Sequence, residues 1–94
     1  GYNVLDYAAP ALGNYQGLVA AVTKRWAGAN EASLVAYIKG YVQATQWLYE
    51  PRNKAEAIAI LRQNMSALDE RGAELAYAAL LGEKGGLFKD GAID

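Results

Sequence analysis

The most regular alternation of apolar and polar positions lies between Asn30 and Pro51. Leu34, Val35, Ile38, Tyr41, Val42, Thr45, Leu48 and Tyr49 recur at three- and four-residue spacing. That spacing places them on one stripe of a helix expected from about Glu31 to Tyr49, while Lys39, Gln43 and Gln46 fall largely outside it. Asn30 stands where a side-chain oxygen can accept from an orphan N–H of the first turn. Glu31 suits the positive end of the helix dipole. Pro51 ends the pattern, because it lacks an N–H and restricts Glu50 before it.

Two shorter helices follow. One is expected from about Lys54 to Asn64, with Ala57, Ile58, Leu61 and Met65 inward and with Asn53 and Glu56 at capping-box spacing. The other is expected from about Glu70 to Leu81, capped by Asp69, with Ala73, Ala76, Tyr77, Leu80 and Leu81 on its apolar side. Gly82 stops it in the role glycine plays at helix ends. Residues 82–94 then read as loop, with Gly85, Gly86 and Gly91.

The amino-terminal third has a different texture. Tyr2-Asn-Val-Leu5 reads as a short strand, and Pro10, Gly13 and Asn14 punctuate a loop. Residues 17–22 form a continuous apolar run before Lys24. A buried strand fits that length, and periodicity alone does not separate it from a helical turn. Residues 23–29 read as a helical turn carrying Trp26. The expected fold class is therefore α+β and mostly helical, with three main helices and one or two short strands, in one segment over residues 1–94.

Composition changes the picture in two ways. The apolar fraction is 53%, but 19 of the 94 residues are Ala, so the core material is the Leu, Val and Ile set plus ten aromatics. A chain this short buries a smaller share of its surface than a large domain does. Nine basic residues face ten acidic ones, scattered along the chain, and no basic run marks a nucleic-acid or anionic-membrane surface. Lys24-Arg25, the longest basic feature, reads as a solvated turn. His and Cys are both absent, which removes the commonest general base, thiolate metal ligands and any disulfide framework. The carboxylates Asp69, Glu70 and Glu74 sit near one helix start, where acids belong for dipole reasons, rather than facing one another across a cleft. No apolar stretch is long enough to span a bilayer. The chain is expected to be no enzyme and to need no cofactor.

Read together, these segments resemble the carboxy-terminal portion of solute-binding proteins of ABC importers, of the class serving sulfonates, taurine, nitrate and thiamine precursors. The residues that carry the resemblance are Tyr2-Asn-Val-Leu-Asp6, Tyr15-Gln-Gly17 with the apolar run to Val22, and Trp26-Ala-Gly-Ala-Asn30-Glu31, where Glu31 stands in place of the usual Pro. Leu34 to Pro51 with Trp47-Leu-Tyr-Glu-Pro51, Glu56-Ala-Ile-Ala-Ile-Leu61 and Gly91-Ala-Ile-Asp94 complete it. The resemblance implies part of an α/β protein of two lobes that close by a hinge on a small solute outside the cytoplasmic membrane, delivering it to a permease. It covers nearly the whole chain. The chain starts at Gly1 and stops at what looks like a helix entrance, Ala92-Ile-Asp94, so it is expected to be cut from something longer.

The candidate ligand-binding residues are Asp6, Tyr7, Asn14, Tyr15 and Gln16, the one cluster of tyrosine faces and amide donors on a single loop. The plainer alternative is that Tyr7 and Tyr15 pack strand ends and Asn14 serves a turn. Trp26 and Trp47 are expected to pack beside the long helix rather than to stack on a ligand. The competing functional class is a free-standing helical interaction module, against which stands the lack of any period near 34 residues. The isolated chain is expected to self-associate, because the apolar run lacks neighbouring strands and the long stripe exceeds what two Ala-rich helices can cover.

Overall fold

The structure is a computed structural model, which describes residues 3, 5–6, 8–13, 17–83 and 85–92. Five α-helices follow in order: α1 (Ala8–Leu12), α2 (Lys24–Ala29), α3 (Glu31–Tyr49), α4 (Lys54–Asn64) and α5 (Glu70–Leu80), with a 3-10 turn at Pro51–Asn53. Helix accounts for 65% of the described residues, which contain no strand, so the α+β expectation is corrected to an all-helical fold. The apolar run at 17–22 is irregular and exposed at every position. A strand requires a second strand to complete its backbone ladder, and no described segment supplies one. Of the other expected strand, Asn3 and Leu5 are irregular and Tyr2 and Val4 lie outside the described residues. Pro10, expected in a loop, sits inside α1, and Gly13 (φ 72°) follows that helix in the left-handed region.

The three long helices occupy the expected positions, but their caps are built differently. Asp69 caps α5 as expected, its Oδ1 accepting from the Gly72 N–H at 2.7 Å. Asn30 does not cap α3. Its Nδ2 donates to the Trp26 carbonyl at 3.0 Å, and its backbone N–H also turns back, so this residue closes α2. Asn53 likewise makes no capping box. Its Nδ2 donates to the Trp47 carbonyl at 2.9 Å, which also accepts from the Glu50 N–H at 3.2 Å, so two donors close the end of α3. Thr23, which the pattern did not single out, caps α2 by accepting from the Trp26 N–H at 3.1 Å. Gly82 ends α5 without entering the left-handed region, through an N–H bond to the Ala79 carbonyl.

Packing centres on the α4–α5 hairpin. Among the described residues Ala57 and Ala73, 7% and 0% exposed, are the buried apolar ones, and their small side chains let the two helices approach closely. The hairpin docks on the end of α3. The Tyr77 hydroxyl donates to the Leu48 carbonyl at 2.9 Å. Buried Thr45 turns its hydroxyl onto its own helix, donating to the Tyr41 carbonyl at 2.9 Å. Lys54 and Glu74 form an exposed ion pair at 2.8 Å, with Lys54 also 5.8 Å from the Tyr77 ring centre. Exposed pairs of this kind contribute little to stability.

The inner stripe of α3 is mostly uncovered. Thr45 is buried and Leu34, Val42, Leu48 and Tyr49 are half-buried, whereas Val35, Ile38 and Tyr41 are exposed. The same holds for Met65 and Leu80. The radius of gyration is 15.9 Å, against about 12 Å for a compact chain of this length. Among the described residues the hairpin meets α3 at its carboxy-terminal end, and α2 packs at its amino-terminal end.

Candidate functional site

One face of α3, from Ser33 to Tyr49, forms the floor of an open cleft of about 1450 Å³. One wall is the irregular segment 17–22, continued by Trp26 of α2. The other is the end of α5 with the strap formed by residues 82–83 and 85–92. Ile38, Tyr41, Val42 and Tyr49 face it from α3 and Leu87 and Phe88 from the strap.

The strap returns along α3 because a pinched turn reverses the chain. Gly86 sits so close to the Gly82 carbonyl that a Cβ there would lie 2.3 Å from its oxygen. Past this turn the Leu87 N–H donates to the Leu80 carbonyl at 2.8 Å. The Tyr49 hydroxyl then donates to the Leu87 carbonyl at 2.6 Å. Lys89 places its ammonium 4.7 Å from the centre of the Tyr49 ring, within the range where a ring face attracts a cation. Gly91 (φ 68°) lies against Val42 and Tyr41, where a Cβ would come within 3.3 Å of Val42. Asp90 accepts from the Ala92 N–H at 3.0 Å. One tyrosine thus holds the strap both through its hydroxyl and through its ring.

The cleft's chemistry is apolar and aromatic. Among the described residues Glu83 and Lys89 are its charged lining residues, beside the hydroxyls of Ser33 and its tyrosines. Among the described residues no buried side-chain polar atom lacks a hydrogen-bond partner, and no group of three or more acidic, His or Cys residues converges as metal ligands. Lys54, whose pKa is raised by its hydrogen bond to Glu74 and by that carboxylate's charge, stands outside the cleft. What the arrangement can do is bury apolar surface.

Of the five candidate ligand-binding residues, Asp6 is exposed, and Tyr7, Asn14, Tyr15 and Gln16 lie outside the described residues. Gly13 and Gly17, which flank the last three of them, both line the cleft. The two tryptophans separate. Trp47 is half-buried, as a packing residue is, whereas Trp26 is 44% exposed on the cleft wall. Sequence reading missed the strap as a wall. Its available signal was the apolar pair Leu87-Phe88 directly after two glycines, a pair that a purely solvated loop has no reason to carry.

No family model, curated protein or solved structure matches this chain. Among the described residues no helix is long and apolar enough to cross a membrane.

Proposed function

We propose that this chain is a segment of an extracytoplasmic solute-binding protein that captures a small solute for an ABC importer, and that within it the segment is a helical packing body rather than a self-sufficient site. The observation that carries this reading is surface area. The chain exposes 8233 Å², whereas a folded monomer of its 10.1 kDa exposes about 5300 Å². The excess is about 2900 Å², and exposed Leu, Val, Ile and aromatic side chains contribute to it. Surface of that character marks a place where more protein packs. The importer assignment draws on the order of the motifs from Tyr2 to Asp94. The solute contacts fall to Asp6, Tyr7, Asn14, Tyr15 and Gln16, the cluster of tyrosine faces and amide donors in the sequence, and the permease is the partner that receives the solute at the outer face of the cytoplasmic membrane.

The test is thermal shift on the whole protein that carries this segment, with a panel of sulfonates, taurine, nitrate and thiamine-precursor pyrimidines. A true ligand at one hundred times its Kd stabilises the native state by about 2.7 kcal/mol, which moves Tm by several degrees. A protein that no member of the panel shifts refutes the assignment. A second reading, a free-standing helical interaction module, is favoured by the all-helical fold. Under it the gene lacks neighbouring permease and ATPase genes, which the importer reading requires.

A further inference from the structure

We propose that Asp90-Gly91 is a self-modification site gated by the strap. The closed strap holds the dipeptide unreactive, an open strap lets Asp90 convert to isoaspartate, and the product keeps the strap from closing as before. This goes beyond the importer reading and does not rest on it. Asp90-Gly91 is the one place in the sequence where an Asp or Asn precedes Gly. Glycine has no Cβ beside its backbone nitrogen, so in a free chain the preceding carboxyl reaches that nitrogen without obstruction. Both residues are exposed, which gives water access.

The step needs no reactant but water. The Gly91 nitrogen forms a bond to Asp90 Cγ, its proton and the carboxyl OH leave together as water, and a five-membered imide ring remains. Water then adds to the ring carbon that was the Asp90 backbone carbonyl and breaks its bond to nitrogen. The chain now runs through Cβ and Cγ, one atom longer, and the former carbonyl carbon is a free carboxylate. Mass and net charge are unchanged.

The closed strap ties down both reacting groups. The Gly91 N–H donates to the Phe88 carbonyl at 3.1 Å, and Asp90 Oδ1 accepts from the Ala92 N–H at 3.0 Å. Gly91 itself sits against Val42 and Tyr41. Ring closure requires the carboxyl to swing onto the Gly91 nitrogen and the peptide plane to turn, and these three contacts oppose both movements. They loosen when Tyr49 releases Leu87, because the strap from Gly86 to Ala92 is one short piece held by that hydroxyl and ring. In the product the added main-chain atom lies between Phe88 and Gly91. The 3.1 Å bond and the seat on Val42 then no longer fit together.

The experiment incubates the 94-residue chain at 37 °C and pH 7.4, folded and in urea. Isoaspartate at position 90 is read by chromatography of a protease digest with mass spectrometry. Two net hydrogen bonds, Tyr49 to Leu87 and Leu87 to Leu80, make the folded rate at least about 5-fold slower than the unfolded one. Each variant's folded rate is divided by its own rate in urea. Tyr49→Phe should raise that ratio about 2- to 13-fold. Lys89→Met, which keeps the hydroxyl, should raise it about 2- to 5-fold. Asp69, whose carboxylate caps α5, should stay unmodified in the folded chain in the same digests. In the purified isoaspartate form the Leu87 amide should exchange faster, with helical circular dichroism unchanged. Equal rates folded and unfolded overturn the proposal, as do ratios that neither substitution raises. An isoaspartate form whose Leu87 amide keeps its protection overturns it too.

Discussion

Replacing Tyr49 by Phe isolates the hydroxyl that ties the strap to α3. The ring remains, and with it the Lys89 contact at 4.7 Å, while the 2.6 Å bond to the Leu87 carbonyl is lost. A partly buried neutral hydrogen bond contributes about 0.5–1.5 kcal/mol net, so local opening of the strap should become about 2- to 13-fold more frequent. The reporter is the Leu87 amide, which is bonded to the Leu80 carbonyl at 2.8 Å and exchanges only when the strap lifts. Its hydrogen-exchange rate, read by NMR, should rise by that factor. The Met65 amide, bonded to the Leu61 carbonyl at the end of α4, serves as the control and should not change. Lys89→Met, which keeps the Tyr49 hydroxyl, removes an exposed cation–ring contact of about 0.5–1 kcal/mol. The two changes act on one hinge and should combine non-additively. An unchanged Leu87 rate, or equal acceleration at Leu87 and Met65, would refute the reasoning, since the strap would then have no opening of its own.

Ala73→Leu forces three extra carbons into the fully buried α4–α5 contact and should cost about 1–3 kcal/mol in urea unfolding; a cost below 0.5 kcal/mol would mean the helices are not in contact there. Asp69→Ala removes the 2.7 Å cap on Gly72 and should cost about 0.5–2 kcal/mol, whereas Asp69→Asn keeps an acceptor and should lose only a dipole contribution of about 0.3–1 kcal/mol. Thermal melts at one fixed chain concentration order the three proteins. Glu74 raises the Lys54 pKa above its ordinary 10.5, so the ion pair's contribution is complete below that pH and is lost as pH rises through the folded value. Lys54→Met should flatten the corresponding part of a stability profile taken from pH 9 to 12, and an unaltered slope would show that the pair is not formed in solution.

The long helices were legible because their signals are local. Periodicity from Leu34 to Tyr49, Pro51 after it, and Asp69 before α5 each act within a few residues. The caps at Asn30 and Asn53 were misread because an Asn side chain carries both an acceptor and donors. In each case the amide turned backward and donated to a carbonyl of the preceding helix, a choice that the neighbouring chain geometry makes. The strand at 17–22 failed for a different reason. Apolar continuity announces burial but says nothing of whether a partner strand exists. For the same reason periodicity named a stripe on α3 without telling how much of it would be covered. The cleft was hidden from sequence because the wall carrying Leu87 is set by a turn at Gly86 whose geometry is not written in any spacing.

The two tyrosine hooks also set a clock for the chain as it is made. Tyr77 lies 29 residues after its acceptor at Leu48, and Leu87 lies 38 residues after Tyr49. At about 5–20 residues per second, the ribosome needs roughly 1.5–8 s to deliver these groups once α3 has been polymerised. The helix itself forms in about a microsecond or less. For about a million times its own formation time, α3 therefore waits for the Tyr77 and Leu87 groups that tie down its carboxy-terminal end. The hairpin of α4 and α5, whose contacts are local, then assembles quickly and docks last. A pause in translation between residues 50 and 87 lengthens that wait and leaves the rest of the fold unchanged.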